Sequence, residues 1–422
     1  MSTQADSQAC ALAATRPPGF CWLDGSASDV AGGVTRGIVA AWPQDEIVGE
    51  SLSVLEDVAA QWRSRPQARW IGWLSYELGA ADVLGRPTKH STLPGLCLRR
   101  FEGVVELMAD GTRRAIGDAS RIERALCAAP PLPESPWPLQ PLVVDIEPEE
   151  HRRRVLAAKE RIAAGDTYQV NLSQPMRAAW TGGAHPWPLG AAHLYASLRR
   201  RFPASMGGLI DTPAGMIVSN SPETLLRTEH GAGEDGGTLA RSWPIKGTRP
   251  RGRDAAEDQA LIDALRASDK DAAEHVMIVD LVRNDLGRLA VPGTVKAPRR
   301  PSLLTLPTVH HLVSEVRATL RPDVDLVELV RALFPGGSIT GAPKRSTVGI
   351  IDALEQHPRG IYCGSLVLLE PTGVTLSIAI RTGVCDEQGL TLCSGGGIVI
   401  DSDPEAERRE TLDKAAAFSG LG

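Results

Sequence analysis

Lys246 stands between Ile245 and Gly247 in Ser242-Trp-Pro-Ile-Lys-Gly-Thr-Arg-Pro-Arg-Gly-Arg253, an apolar strand-like start followed by Arg249, Arg251 and Arg253. Desolvation and neighbouring positive charge both favour the neutral amine, which is how a lysine becomes a nucleophile near neutral pH. The alternative is a lysine that snorkels to water beside solvated arginines. A second set is acidic. Glu407, Glu410 and Lys414 fall on one face of a helix, and Glu274 sits in the first turns of another. Carboxylates from two helices can hold magnesium through oxygen and leave positions for substrate and water. The same spacing also suits a solvated face with a Glu410–Lys414 pair, and spacing alone does not choose. Glu223, in Ser219-Asn-Ser-Pro-Glu223, follows a proline that ends a short apolar run. That is a perch for a general acid, and equally an ordinary helix start. His310 and His311 sit among apolar residues, where a histidine is more often a satisfied core group than a catalyst.

Other motifs fail on spacing. In Gly336-Gly-Ser-Ile-Thr-Gly-Ala-Pro-Lys344 the lysine does not follow the second glycine directly, so this is no phosphate-binding loop. Gly395-Gly-Gly397 lacks the dinucleotide fingerprint and runs into Ile-Val-Ile, a strand. Glu274-His275 has no second histidine at zinc-protease spacing. No cysteine lies in a Gly-x-Cys-x-Gly elbow of the kind a glutaminase nucleophile occupies.

The elements that must position these residues can be read from periodicity. Pro148 to Ala164 reads as a helix stopped by Gly165. Thr167 to Ser173 alternates strictly, with Thr167, Gln169, Asn171 and Ser173 on one face of a strand. Ser268 to Leu286 is a helix entered through a capping box and stopped by Gly287. Asp403-Pro404 opens a helix that reaches about Phe418. Glu229 to Gly237 is a polar hairpin tip. Six prolines between residues 130 and 141 make a semi-rigid connector that is neither helix nor central strand. It divides a region over 16–129 with short strand-like runs from a catalytic region over 142–422, and residues 1–15, small and polar, are expected to be disordered. Strand runs outnumber tidy strand–helix–strand units, which favours an α+β class.

Composition sets the outer limits. The 422 residues are 42% hydrophobic and 23% charged, so the bulk of the chain folds. A net charge of −6 with no basic block argues against nucleic acid as a partner. No apolar run can span a bilayer, and the start lacks a basic and apolar leader, so the expectation is a soluble, cytoplasmic globular protein of one or two domains. Seven scattered cysteines, an odd number without a C-x-x-C pair, fit reduced thiols.

Together the segments closely resemble the chorismate-utilising enzymes. The resemblance is carried by Gly165-Asp-Thr-Tyr-Gln-Val-Asn-Leu-Ser173, Ser219-Asn-Ser-Pro-Glu223, Pro244-Ile-Lys-Gly-Thr-Arg-Pro-Arg-Gly252 and Asp271-Ala-Ala-Glu-His through Arg283-Asn-Asp285. It continues in His311-Leu-Val-Ser314, Phe334 to Lys344, Ser377-Ile-Ala-Ile-Arg-Thr382, and Gly395-Gly-Gly-Ile through Glu410-Thr-Leu-Asp-Lys414. These occur in the family's order from about residue 147 onward. Before that only Gly72-Trp-Leu-Ser-Tyr-Glu77 is similar.

The resemblance implies two large, mainly antiparallel sheets packed face to face and flanked by helices, with the site in a cleft between them. Residues 16–129 are then expected to contribute to that sandwich. It implies that Glu274 and Glu410, with Glu407 near, hold Mg2+ against the ring carboxylate of chorismate, and that Lys414 completes that end. Three carboxylates would otherwise repel a substrate that carries two. It further implies that Arg381 and Tyr362 receive the enolpyruvyl carboxylate. Gly247, Gly395 and Gly397 then line the site, Thr248 and His311 lie near the ring, and Glu223 protonates the departing 4-hydroxyl.

Two positions narrow the chemistry. Water-using members carry a lysine base where this chain has Gln169, and glutamine cannot act as that base, so ammonia is the expected nucleophile. Members that go on to expel pyruvate usually have alanine where this chain has Lys246. The Pro-Ile-Lys-Gly-Thr form resembles the branch in which lysine attacks C2 and ammonia then enters at C4. A separate glutamine amidotransferase subunit is the expected ammonia source. The pyruvate-releasing branch is the alternative, and a non-catalytic chorismate-binding relative a further one. Phe20-Cys-Trp-Leu-Asp-Gly25 lacks the Glu-Ser pair of the family's tryptophan-binding segment, so tryptophan inhibition is not expected.

Overall fold

The computed structural model describes residues 3–25, 37–108, 110–133, 137–181, 187–306 and 309–419. Among them, eleven strands form one sheet, eight a second and three a small third. All the pairings are antiparallel. The period-two rule assigns the layers. In the strand Arg69–Leu74, Ile71 and Trp73 face the larger sheet while Trp70 and Leu74 face helices. Cys21, Ile38, Ala40 and Ile217 of the larger sheet meet Ile71, Trp73, Leu366 and Leu368 of the smaller between the layers. Helices Gln4–Ala14, Ser120–Ala128 and Trp187–Arg201 cover the larger sheet's outer face around Trp22, Met176 and Tyr195. Helices Leu55–Ser64, Asp269–Gly287 and Leu326–Leu333 cover the smaller sheet around Leu226 and Leu376. The expected sandwich flanked by helices is what the chain forms.

The proline stretch does not separate two sheet systems. The strand Cys21–Asp24 pairs with Met206–Thr212, and Arg69–Leu74 pairs with Ser365–Glu370, so residues before and after it share both sheets. The stretch itself forms no helix or strand beyond an isolated bridge at Leu139, with residues 134–136 outside the described part.

One expectation is corrected. Residues 4–14 are helical rather than disordered. Thr3 and Asp6 form a reciprocal capping box, Ala5, Ala9, Leu12 and Ala13 are buried, and Asp6 pairs with Arg199 at 2.9 Å. A face built of alanine has little hydrophobic signal, yet it lets the helix lie close to Trp187–Arg201. Residues 1 and 2 lie outside the described part.

The elements that carry the site have clear starts. Ser268 accepts from the Asp271 amide to cap Asp269–Gly287. Asp403 accepts from the Ala406 amide, with Pro404 at the first position of Pro404–Ala415. That second helix lies along the strand Gly389–Ile398, which pairs with Gln169–Ala179 from Gly389↔Ala179 to Ile398↔Val170. The small sheet, Ile245–Pro250 with Val309–Val313 and Ser302–Thr305, rests on Asp269–Gly287. All seven cysteines are free thiols, and no helix among the described residues is long and apolar enough to cross a membrane.

Candidate active site

Lys246 lies on the strand Ile245–Pro250, just before a bulge. Lys246 pairs with Leu312 and Thr248 with His311, so Gly247 is the extra residue, at φ +75°. The lysine's pKa is held below its usual value, first by desolvation and then by Lys414, while Glu274, Glu223 and Glu410 pull the other way. This corrects the electrostatic cause read from the sequence. Arg249, Arg251 and Arg253 are engaged by Asp271, Asp258 and Glu257, each at 2.9 Å. The cation acting on Lys246 comes instead from the C-terminal helix.

Glu223 follows the strand Gly215–Ser221 and is buried. Burial pushes its pKa up to about 7 against the pull of Lys246, a hydrogen bond from Ser338 Oγ at 3.0 Å, and Lys414. A carboxyl poised near neutrality beside a depressed lysine is an acid–nucleophile combination. Ser338 was not singled out in the sequence. It lies in the glycine loop rejected as a phosphate site, and its real work is to hold Glu223 Oε1.

His311 is buried, with Nδ1 2.9 Å from Thr248 Oγ1 and 3.3 Å from the Gly247 carbonyl. Desolvation, followed by the Arg381 charge, lowers its pKa to about 4, so the ring is neutral. His310 faces away, between Asp258 and Thr305. Arg381 has a left-handed backbone at φ +49° and no carboxylate partner among the described residues, and burial pulls its pKa down. Such a residue, strained and desolvated without a counter-ion, is suited to an incoming carboxylate.

Glycines bring the strand Gly389–Ile398 close to these side chains. A Cβ on Gly395 would lie 2.6 Å from the Leu172 carbonyl oxygen and 2.7 Å from the Tyr362 hydroxyl. A Cβ on Gly397 would collide with the Gln169 amide. Tyr362 is therefore at the floor beside Gly395. Gln169 is buried with neither amide atom hydrogen-bonded, and Asn171 Oδ1 beside Gly395 is likewise unpaired. Tyr168, on the opposite face, is exposed, and Thr167 and Ser173 bond to Thr347 and Glu355 instead of facing the cleft.

The acidic end is a two-carboxylate arrangement. Glu410 pairs with Lys414 at 2.7 Å, and Lys414 also donates to the Gly395 carbonyl at 3.1 Å. Burial raises the Glu410 pKa, but Lys414, Lys246 and Lys270 outweigh it and leave the group ionised below its usual value. Glu274, reached by Lys270 at 3.9 Å, acts on Lys246 together with Glu410. Glu407 stands behind them, under the charges of Glu410, Lys270 and Lys414. It accepts from Ser402 Oγ at 2.6 Å, desolvation raises its pKa, and among the described residues no three His, Cys, Asp or Glu side chains converge as metal ligands. Two acidic ligands suit magnesium, which commonly takes one or two protein carboxylates and fills the rest from substrate and water.

A sandwich of antiparallel sheets that gathers a buried acid, a depressed lysine and an arginine without a carboxylate partner among the described residues defines a class. Residues 20–420 match the family described as chorismate binding enzyme, and the chain belongs to that family. It is 44% identical to the aminodeoxychorismate synthase of Streptomyces griseus over 374 residues, 83% of this chain and 50% of the relative. It is 45% identical to aminodeoxychorismate synthase component 1 of Salmonella typhimurium over 253 residues, 60% of this chain and 52% of the relative. The chain thus spans about half the length of these curated relatives. The crystal structure of anthranilate synthase component I from Streptococcus pneumoniae superposes with a TM-score of 0.75 at 26% identity, covering 93% of each chain.

Proposed function

We propose that the chain is the synthase subunit of an aminodeoxychorismate synthase, converting chorismate and ammonia to 4-amino-4-deoxychorismate. The observation that carries this reading is Lys246 on its bulged strand within the field of Glu223, Glu274 and Glu410, in a chain 44% identical over 374 residues to an aminodeoxychorismate synthase. Arg381 and Tyr362 receive the enolpyruvyl carboxylate. Glu274 and Glu410, with Glu407 behind them, would hold magnesium, which when bound would supply positive charge for the ring carboxylate. The neutral Lys246 amine adds at C2, both ring double bonds shift one place toward C4, and the 4-hydroxyl leaves as water with the Glu223 proton. Ammonia then adds at C4, both double bonds return to their first positions, and Lys246 departs as a neutral amine. The Glu223 carboxylate takes the extra proton from the new ammonium and is restored. Two allylic displacements replace one difficult substitution. The enolpyruvyl group stays on the product. His311 and Thr248 hold the lysine-side wall, and Gln169 offers no base for water.

Related proteins named as a first component support a second subunit, and a glutamine amidotransferase that releases ammonia is the partner this chemistry needs. Incubation with chorismate and magnesium but no ammonia tests the covalent step. Intact-peptide mass analysis should find an adduct on the peptide containing Lys246, lost in Lys246→Ala. An adduct-free wild-type chain together with an active Lys246→Arg would remove the covalent mechanism, because arginine does not lose its proton.

A further inference from the structure

We infer that His275 is a positioning residue for Lys246, gripping through Ser314 the end of the strand ladder that carries the lysine. His275 is 2% exposed on the helix that presents Glu274. Its Nε2 lies 2.8 Å from Ser314 Oγ, and the Ser314 amide donates to the Pro244 carbonyl at 3.3 Å. The next rungs of that ladder are Ile245↔Val313 and Lys246↔Leu312. One hydrogen-bonded chain therefore runs from the helix of the acidic site, through Ser314, to the residue two before Lys246.

The ring has a single polar anchor, since Nδ1 has no partner, so Nε2 and Ser314 define its orientation. On the other side of Lys246 the backbone enters the Gly247 bulge, where glycine supplies little restraint of its own. The same helix takes hold again beyond the bulge, where Asp271, one turn before His275, pairs with Arg249 at 2.9 Å. The lysine is thus slung between two ties to one helix, and the His275 tie is the buried one. Its consequence is a fixed separation between the amine and the carboxylate end of the cleft. A displacement of about 1 Å in such a geometry costs on the order of a hundredfold in rate.

The kinetic part of this inference rests on the proposed role of Lys246, so the test includes a readout that does not. In glutamine the amide sits where Nε2 does and can reach Ser314, whereas in asparagine it is one carbon short. His275→Gln and His275→Asn are therefore matched in polarity and differ in reach. We expect His275→Asn to lower kcat by about tenfold or more with the chorismate KM changed by no more than about threefold, and His275→Gln to stay within about threefold of wild type. In the substrate-free protein, trace acetylation with acetic anhydride, read by mass spectrometry, should change by about threefold or more at Lys246 in His275→Asn while Lys414 labels as in wild type. His275→Gln should label like wild type at both. Equal rates and equal Lys246 labelling in the two variants would overturn the positioning role, as would a rate loss matched by a rise in KM. The labelling needs no chorismate, so it decides the role of His275 even if the chain makes a different product.

Discussion

Single residues in this cleft are set against one another by burial. Glu223 is lifted to about 7 because its charged form is desolvated, and the unfolded chain would hold the same carboxyl near 4.5. The folded state keeps a proton that the unfolded state has lost, so the stability Glu223 offers is present below the unfolded value and declines as pH rises to about 7. Glu223→Gln removes that burden. It should nearly abolish turnover and yet stabilise the unliganded protein by up to about 3 kcal/mol at pH 8, with little change at pH 4, in urea unfolding. A Glu223→Gln protein no more stable than wild type at pH 8 would contradict the buried-acid assignment. Ser338 works in the opposite sense, since its hydroxyl favours the carboxylate. Ser338→Ala should raise the Glu223 pKa and move the alkaline limb of the kcat/KM profile to higher pH, because the acid must be protonated to act. Lys246 and Glu223 stand out in the sequence by their settings, a lysine among apolar residues and a glutamate after proline, but those settings left their roles open and only the family resemblance assigned them. Their electrostatic partners do not stand out. Ser338 is more than a hundred residues from Glu223, and Lys414 displaced the nearby arginines as the cation beside Lys246, because arginines close in sequence had acidic partners of their own.

The elements were legible where local chemistry sets them. The Ser268 and Asp403 caps and the Gly165 stop form as the pattern indicates, since each depends on residues within a turn or two, and the alternating strand forms from Gln169 onward, with Thr167 and Tyr168 outside it. What failed at this scale depended on packing. The alanine-faced helix at residues 4–14 has too weak a periodic signal to be seen without the tryptophan-bearing helix beneath it. Helical spacing puts Glu407 with Glu410, and the two charges do act on one another, while Ser402, at the helix entrance, holds one Glu407 oxygen in a way the spacing does not show. Lys270, on the helix of Glu274, acts on both Glu410 and Glu407 of the other helix, and the proposed magnesium would join these acids to a dianionic substrate. Glu274→Gln or Glu410→Gln should nearly abolish turnover and raise the magnesium concentration needed for half-maximal rate, while Glu407→Gln should be milder. Wild-type activity persisting in excess EDTA would refute the metal assignment.

At the scale of the whole molecule, strands from both sides of the proline stretch build both sheets, so the cleft exists only when the chain is folded throughout. The sandwich holds the acid, the arginine and the glycine strand, and the small sheet brings the lysine across to them. In the proposed reading the sandwich supplies the substrate site and Lys246 decides the outcome. The most direct test supplies the purified chain with chorismate, magnesium and ammonium and identifies the product by mass, with and without an aminodeoxychorismate lyase. The account predicts an aminated product that keeps its enolpyruvyl group, no pyruvate in the absence of the lyase, and p-aminobenzoate with pyruvate once it is added. Fluorescent anthranilate appearing with pyruvate from the chain alone would contradict it.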